Sequence, residues 1–286
     1  VTESDIEEYA NSIDLEFAGD EVASAAERLN TLSGIYEELE AAPVESIEPR
    51  ESDGDQFESQ PYRPDEDEDP HNAWLAKFDL TRPNETGRLS GLTVAIKDNT
   101  CVRGVEITCG SRAFEGVVPG EHAEVVDRFL NAGATIVGKT NMDELAFGPT
   151  SETSAFGPTK NPVDTDHVAG GSSAGSASAV ASGDVDLALG TDTGGSVRIP
   201  ASYCGIVGIK PTYGRVPLQG IAELAYSMDH VGPLASDVET AARGLEVMAD
   251  AAPGGDDPDY VDDLGLDPAE LTVGVCDAFF KKHTSE

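Results

Sequence analysis

Basic residues are scarce in this chain. Over 286 residues, 18 Lys plus Arg stand against 54 Asp plus Glu, a formal net charge of −36. A surface of that sign repels phosphate backbones, which argues against direct nucleic-acid binding. Long apolar runs are missing too, and no stretch approaches the roughly 20 apolar residues of a membrane-spanning helix. The first residues, Val-Thr-Glu-Ser-Asp-Ile-Glu-Glu-Tyr-Ala, have neither the basic nor the apolar region of a secretory signal. A soluble, cytoplasmic protein without membrane contact is expected. Cysteine is sparse, and Cys101, Cys109, Cys204 and Cys276 show no C-x-x-C pair and no histidine at zinc spacing. Reduced thiols, no metal and no cofactor follow as expectations.

The acidic residues are spread through both halves of the chain. Self-repulsion of this size destabilises a compact state at low salt. In about 1 M salt the Debye length shrinks to about 3 Å, so a halophilic surface is the expected reading. The charge speaks to the surroundings of the protein rather than to its chemistry. With 39% hydrophobic residues the chain can bury a substantial core.

Residues 1–42 read as an N-terminal helical segment. Thr2-x-x-Asp5 resembles a capping box, and Ile6, Tyr9, Ala10 and Ile13 follow at helical spacing. A second helix carries Val22, Ala26, Leu29, Leu32, Tyr36 and Leu39 on one face. That apolar face suits homodimer formation or cover for a core. Residues 43–86 read as an acidic, proline-rich linker, with Pro43, Pro49, Pro61, Pro64 and Pro70 and an acidic run at Asp65–Asp69. From 87 to 286 the texture is glycine-punctuated α/β. Strands are expected at Leu92–Ile96, Thr135–Val137, Val185–Leu189 and Leu271–Cys276, and helices at Glu124–Asn131, Ala174–Ser182 and Asp237–Asp250. The alternation predicts a mixed sheet covered by helices on both faces.

Two conspicuous motifs lack their proper context. Gly133-Ala-Thr-Ile-Val-Gly-Lys-Thr140 fits the phosphate-loop pattern by letter. Such a loop follows a strand and opens a helix. Here a helix precedes Gly133 and the would-be loop residues are strand-like, so a helix–turn–strand unit is expected. Gly171-Ser-Ser-Ala-Gly175 fits the nucleophile-elbow pattern, but no good strand precedes it. The only later histidines are His230 and His283, and Asp229 is too close to His230 to serve as its acid partner.

A third constellation joins Lys97, which ends the apolar run Leu92–Ile96, to the serine loop at 170–176 and the Gly190–Pro200 loop around Ser196. Serine is a weak nucleophile without an adjacent base. With no well-placed histidine, lysine is the remaining candidate, and it must be neutral to accept a proton. Burial lowers a lysine pKa, which the apolar run favours and the neighbouring Asp98 opposes. The Thr193-Gly194-Gly195 approach to Ser196 exposes backbone N–H groups suited to an oxyanion. Acyl transfer to or from an amide or ester is the expected chemistry.

These segments resemble the amidase signature family: V-A-I-K-D-N at 94–99, G-G-S-S-A-G-S-A at 170–177 and D-L-A-L-G-T-D-T-G-G-S-V-R-I-P-A at 186–201. N-A-G-A-T-I-V-G-K-T-N-M-D-E at 131–144 and C-G-I-V-G-I-K-P-T-Y-G at 204–214 also fit. The resemblance implies that family's fold, a Ser-cisSer-Lys triad and an acyl-enzyme. By motif position, Ser196 would be the nucleophile, Ser172 the bridging serine with a cis peptide before it, and Lys97 the base. Backbone N–H groups of Thr193, Gly194, Gly195 and Ser196 would form the oxyanion hole, and Ser173 and Arg198 would brace the loops. Ala174 departs from the family's usual glycine. Members are longer than this chain, which is therefore expected to be C-terminally incomplete.

The implied function is hydrolysis of a small carboxamide to the acid and ammonia. The N-terminal extension, H-N-A-W at 71–74 and Ser196-Val-Arg-Ile-Pro200 favour a free-standing amidase. Thr150–Pro158 instead resembles the A subunit of tRNA-dependent amidotransferases, which works with a partner protein. An inactive fragment is the third alternative.

Overall fold

Residues expected in a linker open the sheet. In the computed structural model, which describes residues 1–12, 15, 17, 21–41, 54–83, 85–251, 259–267, 269, 272 and 274, the chain divides into two compact units, Val1–Glu48 and Pro49–Glu286.

The first unit holds α1 (Glu3–Ser12) and α2 (Glu21–Ala41). Thr2 and Asp5 cap α1 reciprocally. Asp5 N donates to Thr2 Oγ1 at 3.2 Å, and Thr2 N donates to Asp5 Oδ2 at 2.7 Å. The Val1 ammonium and carbonyl pair with the Asn30 amide at 2.7 and 2.8 Å, tying the first residue to α2. Ile6, Ala10 and Ala26 are buried, whereas Tyr9 and Leu29, expected on the same stripes, are exposed. A pair of helices covers only the narrow strip between them. Ile13 lies outside the described residues, as do the side chains of Leu32, Tyr36 and Leu39.

In the second unit, β1 (Gln56–Phe57) and β2 (Trp74–Thr81) precede β3 (Thr93–Lys97), α3 (Glu124–Asn131), β4 (Thr135–Thr140), α4 (Ala174–Ala181) and β5 (Leu187–Asp192). Then come α5 (Arg198–Cys204), β6 (Val207–Gly208), β7 (His230–Ala235) and α6 (Val238–Met248). The seven strands form one mixed sheet in the order β1-β2-β4-β3-β5-β7-β6. Its centre is parallel, with β3 between β4 and β5, and its outer pairs are antiparallel.

The period-two alternation of strands distributes side chains to two cores. Val94 and Ile96 of β3 and Leu187 and Leu189 of β5 pack with α3 and α6 residues such as Phe129, Leu130, Leu245 and Met248. Ala95 and Ala188 face the other way, onto Ala174, Ala177 and Val180 of α4 and Ala201 of α5. Helices thus cover both faces. Small residues on the α4 side let that helix approach the strands closely.

The linker reading is corrected for residues 74–81. Phe78 and Leu80 are buried there between exposed or half-buried neighbours, and β2 pairs with both β1 and β4. Two further elements escape the sequence pattern. α5 contains Pro200, tolerated because it falls in the first helical turn. β7 contains Pro233, whose missing N–H costs little since the two-residue β6 is the neighbour on one side. The expected strand at Leu271–Cys276 lies outside the described residues. No helix among the described residues is long and apolar enough to cross a membrane.

Candidate active site

The central strands β3 and β5 run parallel and end side by side, so their carboxyl ends form the kind of crevice where open α/β sheets bind ligands. Alternation along β3 sends Lys97 to the α4 side, together with Ala95. Lys97 is completely buried, and its Nζ makes hydrogen bonds to Ser172 Oγ at 2.9 Å and Thr191 Oγ1 at 2.7 Å. Burial brings its pKa down from 10.5 to about 7, against the opposing charges of Asp143, Asp192 and Asp229. Near neutral pH a substantial fraction of Lys97 is therefore an uncharged amine.

Ser172 is buried at the loop just before α4, and the Gly171–Ser172 peptide is cis. Gly171 packs against Asp143, and a Cβ there would fall 1.9 Å from the Asp143 carboxylate. Ser173 holds the loop to β5. Its Oγ donates to the Thr191 carbonyl at 3.1 Å and accepts from Thr191 N at 3.2 Å. Gly190 makes room for this contact, since a Cβ at that position would lie 2.9 Å from Ser173 Oγ.

Ser196 is half-buried on the loop after β5. Its carbonyl accepts from Ser173 N at 3.2 Å, so the two serine loops are joined through the backbone. Among the described residues no direct hydrogen bond joins the Ser196 and Ser172 side chains. The loop is shaped by Asp192, which is buried and takes Gly195 N at 2.9 Å, Val197 N at 3.2 Å and a two-point contact from Arg198 at 2.9 and 2.8 Å. Hydrogen bonds from Arg198 and these N–H groups hold the Asp192 carboxyl below its ordinary pKa despite burial. Arg198 thus braces the loop through Asp192. The Gly195 N–H, one of the expected oxyanion donors, is engaged by Asp192 Oδ1 in this structure. Thr193 Oγ1 donates to Asp229, whose other oxygen accepts Leu224 N at 2.8 Å and Ala225 N at 3.0 Å.

Sequence reasoning overlooked Thr191, Asp192, Asp143 and Asn99. Asn99 Nδ2 donates to Thr191 Oγ1 at 3.2 Å. A signal existed for Asp192 alone: an acid six residues before Arg198 across a glycine turn is a ready loop clamp. The others act through contacts between distant segments.

The two discarded motifs hold no such geometry. Gly133, at φ +82°, ends α3, and Lys139 lies buried in β4, paired with Asp98 at 2.9 Å. No strand leads into Gly171–Gly175, and His230 Nδ1 contacts the Asp192 carbonyl at 3.2 Å. Among the described residues no group of three or more His, Cys, Asp or Glu could hold a metal ion. Burial pushes the thiols of Cys109 and Cys204 up to about 11 and about 12, so neither is a thiolate nucleophile at neutral pH.

Fold and site together define an α/β protein with a buried lysine–serine couple at the carboxyl ends of parallel strands. The chain belongs to the Amidase family, whose model matches residues 69–286. It is 52% identical over 213 residues to the A subunit of a glutamyl-tRNA(Gln) amidotransferase from Natronomonas pharaonis, covering 72% of this chain and 50% of that one. To the protein of the same name from Halobacterium salinarum it is 55% identical over 196 residues, or 66% of this chain and 46% of the other. The chain thus spans about half the length of these curated relatives. Among solved structures it resembles the glutamyl-tRNA(Gln) amidotransferase A subunit of Thermotoga maritima, at TM-score 0.61 and 45% identity over 65% of this chain and 42% of that one. It also resembles the native peptide amidase of Stenotrophomonas maltophilia, at TM-score 0.60 and 37% identity over 62% of this chain and 39% of that one.

Proposed function

We propose that this chain carries the reaction centre of an enzyme that hydrolyses a carboxamide to a carboxylic acid and ammonia. The carrying observation is the hydrogen bond between the buried Lys97 amine and Ser172 Oγ. Neutral Lys97 takes a proton from Ser172, and Ser172 takes one from Ser196. Ser196 Oγ attacks the amide carbonyl, and the N–H groups of Thr193, Gly194 and Ser196 face the oxyanion. The relay then runs back to protonate the departing nitrogen as the C–N bond breaks, which leaves the acyl group on Ser196. Water, deprotonated through the same relay, releases the acid. One buried amine serves both acid and base steps because its pKa of about 7 lies close to neutral pH. Ser173 and Arg198 hold the two loops in register.

A second reading concerns the amide. The names of the relatives from Natronomonas pharaonis and Halobacterium salinarum favour an amidotransferase A subunit that takes ammonia from glutamine for a partner protein. The chemistry at Ser196 is the same in both readings. The net charge of −36 fits work in concentrated salt, where screening relieves self-repulsion.

The test is hydrolysis of a chromogenic amide and of glutamine by the wild type and by Ser196→Ala. The variant is expected to lose activity by a factor on the order of 10⁴ or more, and full retention refutes the nucleophile. Glutaminase activity that appears only with a copurifying protein selects the second reading.

A further inference from the structure

Asp143 is completely buried. Its Oδ1 accepts Thr153 N at 3.0 Å and Thr153 Oγ1 at 2.8 Å, and its Oδ2 accepts Ser151 N at 3.0 Å. Three donors on two oxygens fit a carboxylate, which has no proton to give. Among the described residues no cation forms an ion pair with it. The Asp143 backbone N donates to the Ser172 carbonyl at 3.3 Å, and Gly171 packs directly on Oδ2. The carboxylate therefore stands behind the peptide that presents Ser172 to Lys97.

We propose that Asp143 is a positioning residue of the proton relay, whose uncompensated negative charge sets how firmly Lys97 holds its proton while its backbone and carboxylate seat the Gly171–Ser172 peptide. This rests on the reading of Lys97 as the base. Asp192 is matched by Arg198, and Cys109 is an un-ionised thiol. Asp229 has the same kind of donors as Asp143, one hydroxyl and two backbone N–H groups, but it is Asp143 that packs against the Gly171–Ser172 peptide. Asp143 is also the foremost of the opposing charges at Lys97. Without it, burial alone would free the amine of its proton at lower pH. With it, Lys97 stays near neutrality, where it can both accept and return a proton.

The experiment follows the rate at which a fluorophosphonate probe labels Ser196 from pH 5 to 9, in the wild type, Asp143→Asn and Thr153→Val, with circular dichroism to confirm the fold. Labelling rises as Lys97 loses its proton. Asp143→Asn is expected to move the rise to lower pH by about one unit, so that at pH 6 its labelling reaches an about fivefold larger fraction of its own plateau. Thr153→Val keeps the charge and strips a neutralising hydroxyl dipole from it, which is expected to move the rise to higher pH. Shifts of opposite sign are not produced by a merely structural role. A rise that stays in place in both variants, or moves the same way in both, overturns the assignment of Asp143. If Asp143→Asn does not fold, the direction in Thr153→Val decides alone. A wild-type chain unlabelled at Ser196 refutes the functional reading instead, which separates the two failures.

Discussion

Replacing Lys97 with methionine is expected to stabilise the protein while abolishing its chemistry. Methionine, unbranched and one atom shorter than lysine, occupies most of the same buried space without a charge to desolvate. The wild-type residue has its pKa lowered from 10.5 to about 7, which at pH 7 corresponds to about 4 kcal/mol of stability given up by the folded state. Against this, Lys97→Met breaks the hydrogen bonds to Ser172 and Thr191, each worth about 1 kcal/mol. A net gain of about 2 kcal/mol remains. The sign of the pH dependence follows from proton counting. Between about pH 7 and 10.5 the unfolded chain holds a proton on Lys97 that the folded chain lacks, so wild-type stability rises with pH. The variant has no such group. Its advantage is therefore expected to fall by about 1.4 kcal/mol per pH unit from about pH 7.5 to 10, vanishing at about pH 9 and reversing above it. Urea unfolding of both proteins in molar salt, at half-unit steps of pH, measures this directly. A stability difference that does not change with pH, or a variant less stable at pH 7 than at pH 10 relative to wild type, refutes the reasoning.

Gly171→Ala puts a methyl group 1.9 Å from Asp143 Oδ2, so the peptide or the carboxylate must move by about 1 Å, and Ser196 labelling is expected to slow by about 10²-fold in a folded protein; labelling at the wild-type rate would show that this register does not matter. Buried His122 accepts Arg103 N at Nδ1 at 3.0 Å and contacts Asp55 through Nε2 at 3.0 Å, which fixes the neutral ring. Burial lowers its pKa against the pull of Asp55, so its contribution is complete above about pH 6.5 and declines as the pH falls below that. Thermal melts between pH 5 and 7 check this, with His122→Gln expected to flatten the slope and an unchanged slope counting against it.

Much of the fold was legible because local pattern and packing agreed. The apolar run ending in Lys97, the stripe Val125, Val126, Phe129 and Leu130, and the small-residue stretch from Ala174 each became the expected β3, α3 and α4, to within a few residues at the ends. β2 was hidden by the prolines before it, and β7 by its own Pro233. Neither strand has a local signal strong enough to outweigh them. What fixes both is pairing with partners remote in sequence: Leu80 with Ile136, and Leu189 with Pro233. N-terminal amphipathicity misjudged Tyr9 because periodicity names a face without saying how much of it a single neighbouring helix can cover.

By itself, the sequence determined the chemical inventory. It supplied a lysine at the end of an apolar strand, two glycine-framed serine loops, no histidine placed to serve as base, and a large surplus of acidic side chains. Tertiary structure decided which of these groups meet. Lys97 and Ser172 are 75 residues apart along the chain, yet their side chains lie 2.9 Å apart. Only the parallel ends of β3 and β5, with Ser173 bridging Thr191 and Ser196, bring them together. It also decided the state of the groups. The pKa of Lys97 falls to about 7 because complete burial removes the water that stabilises its charge, and Asp143, Asp192 and Asp229 limit how far that goes. Burial and the distances between charges exist only in three dimensions, so no local pattern could have set them.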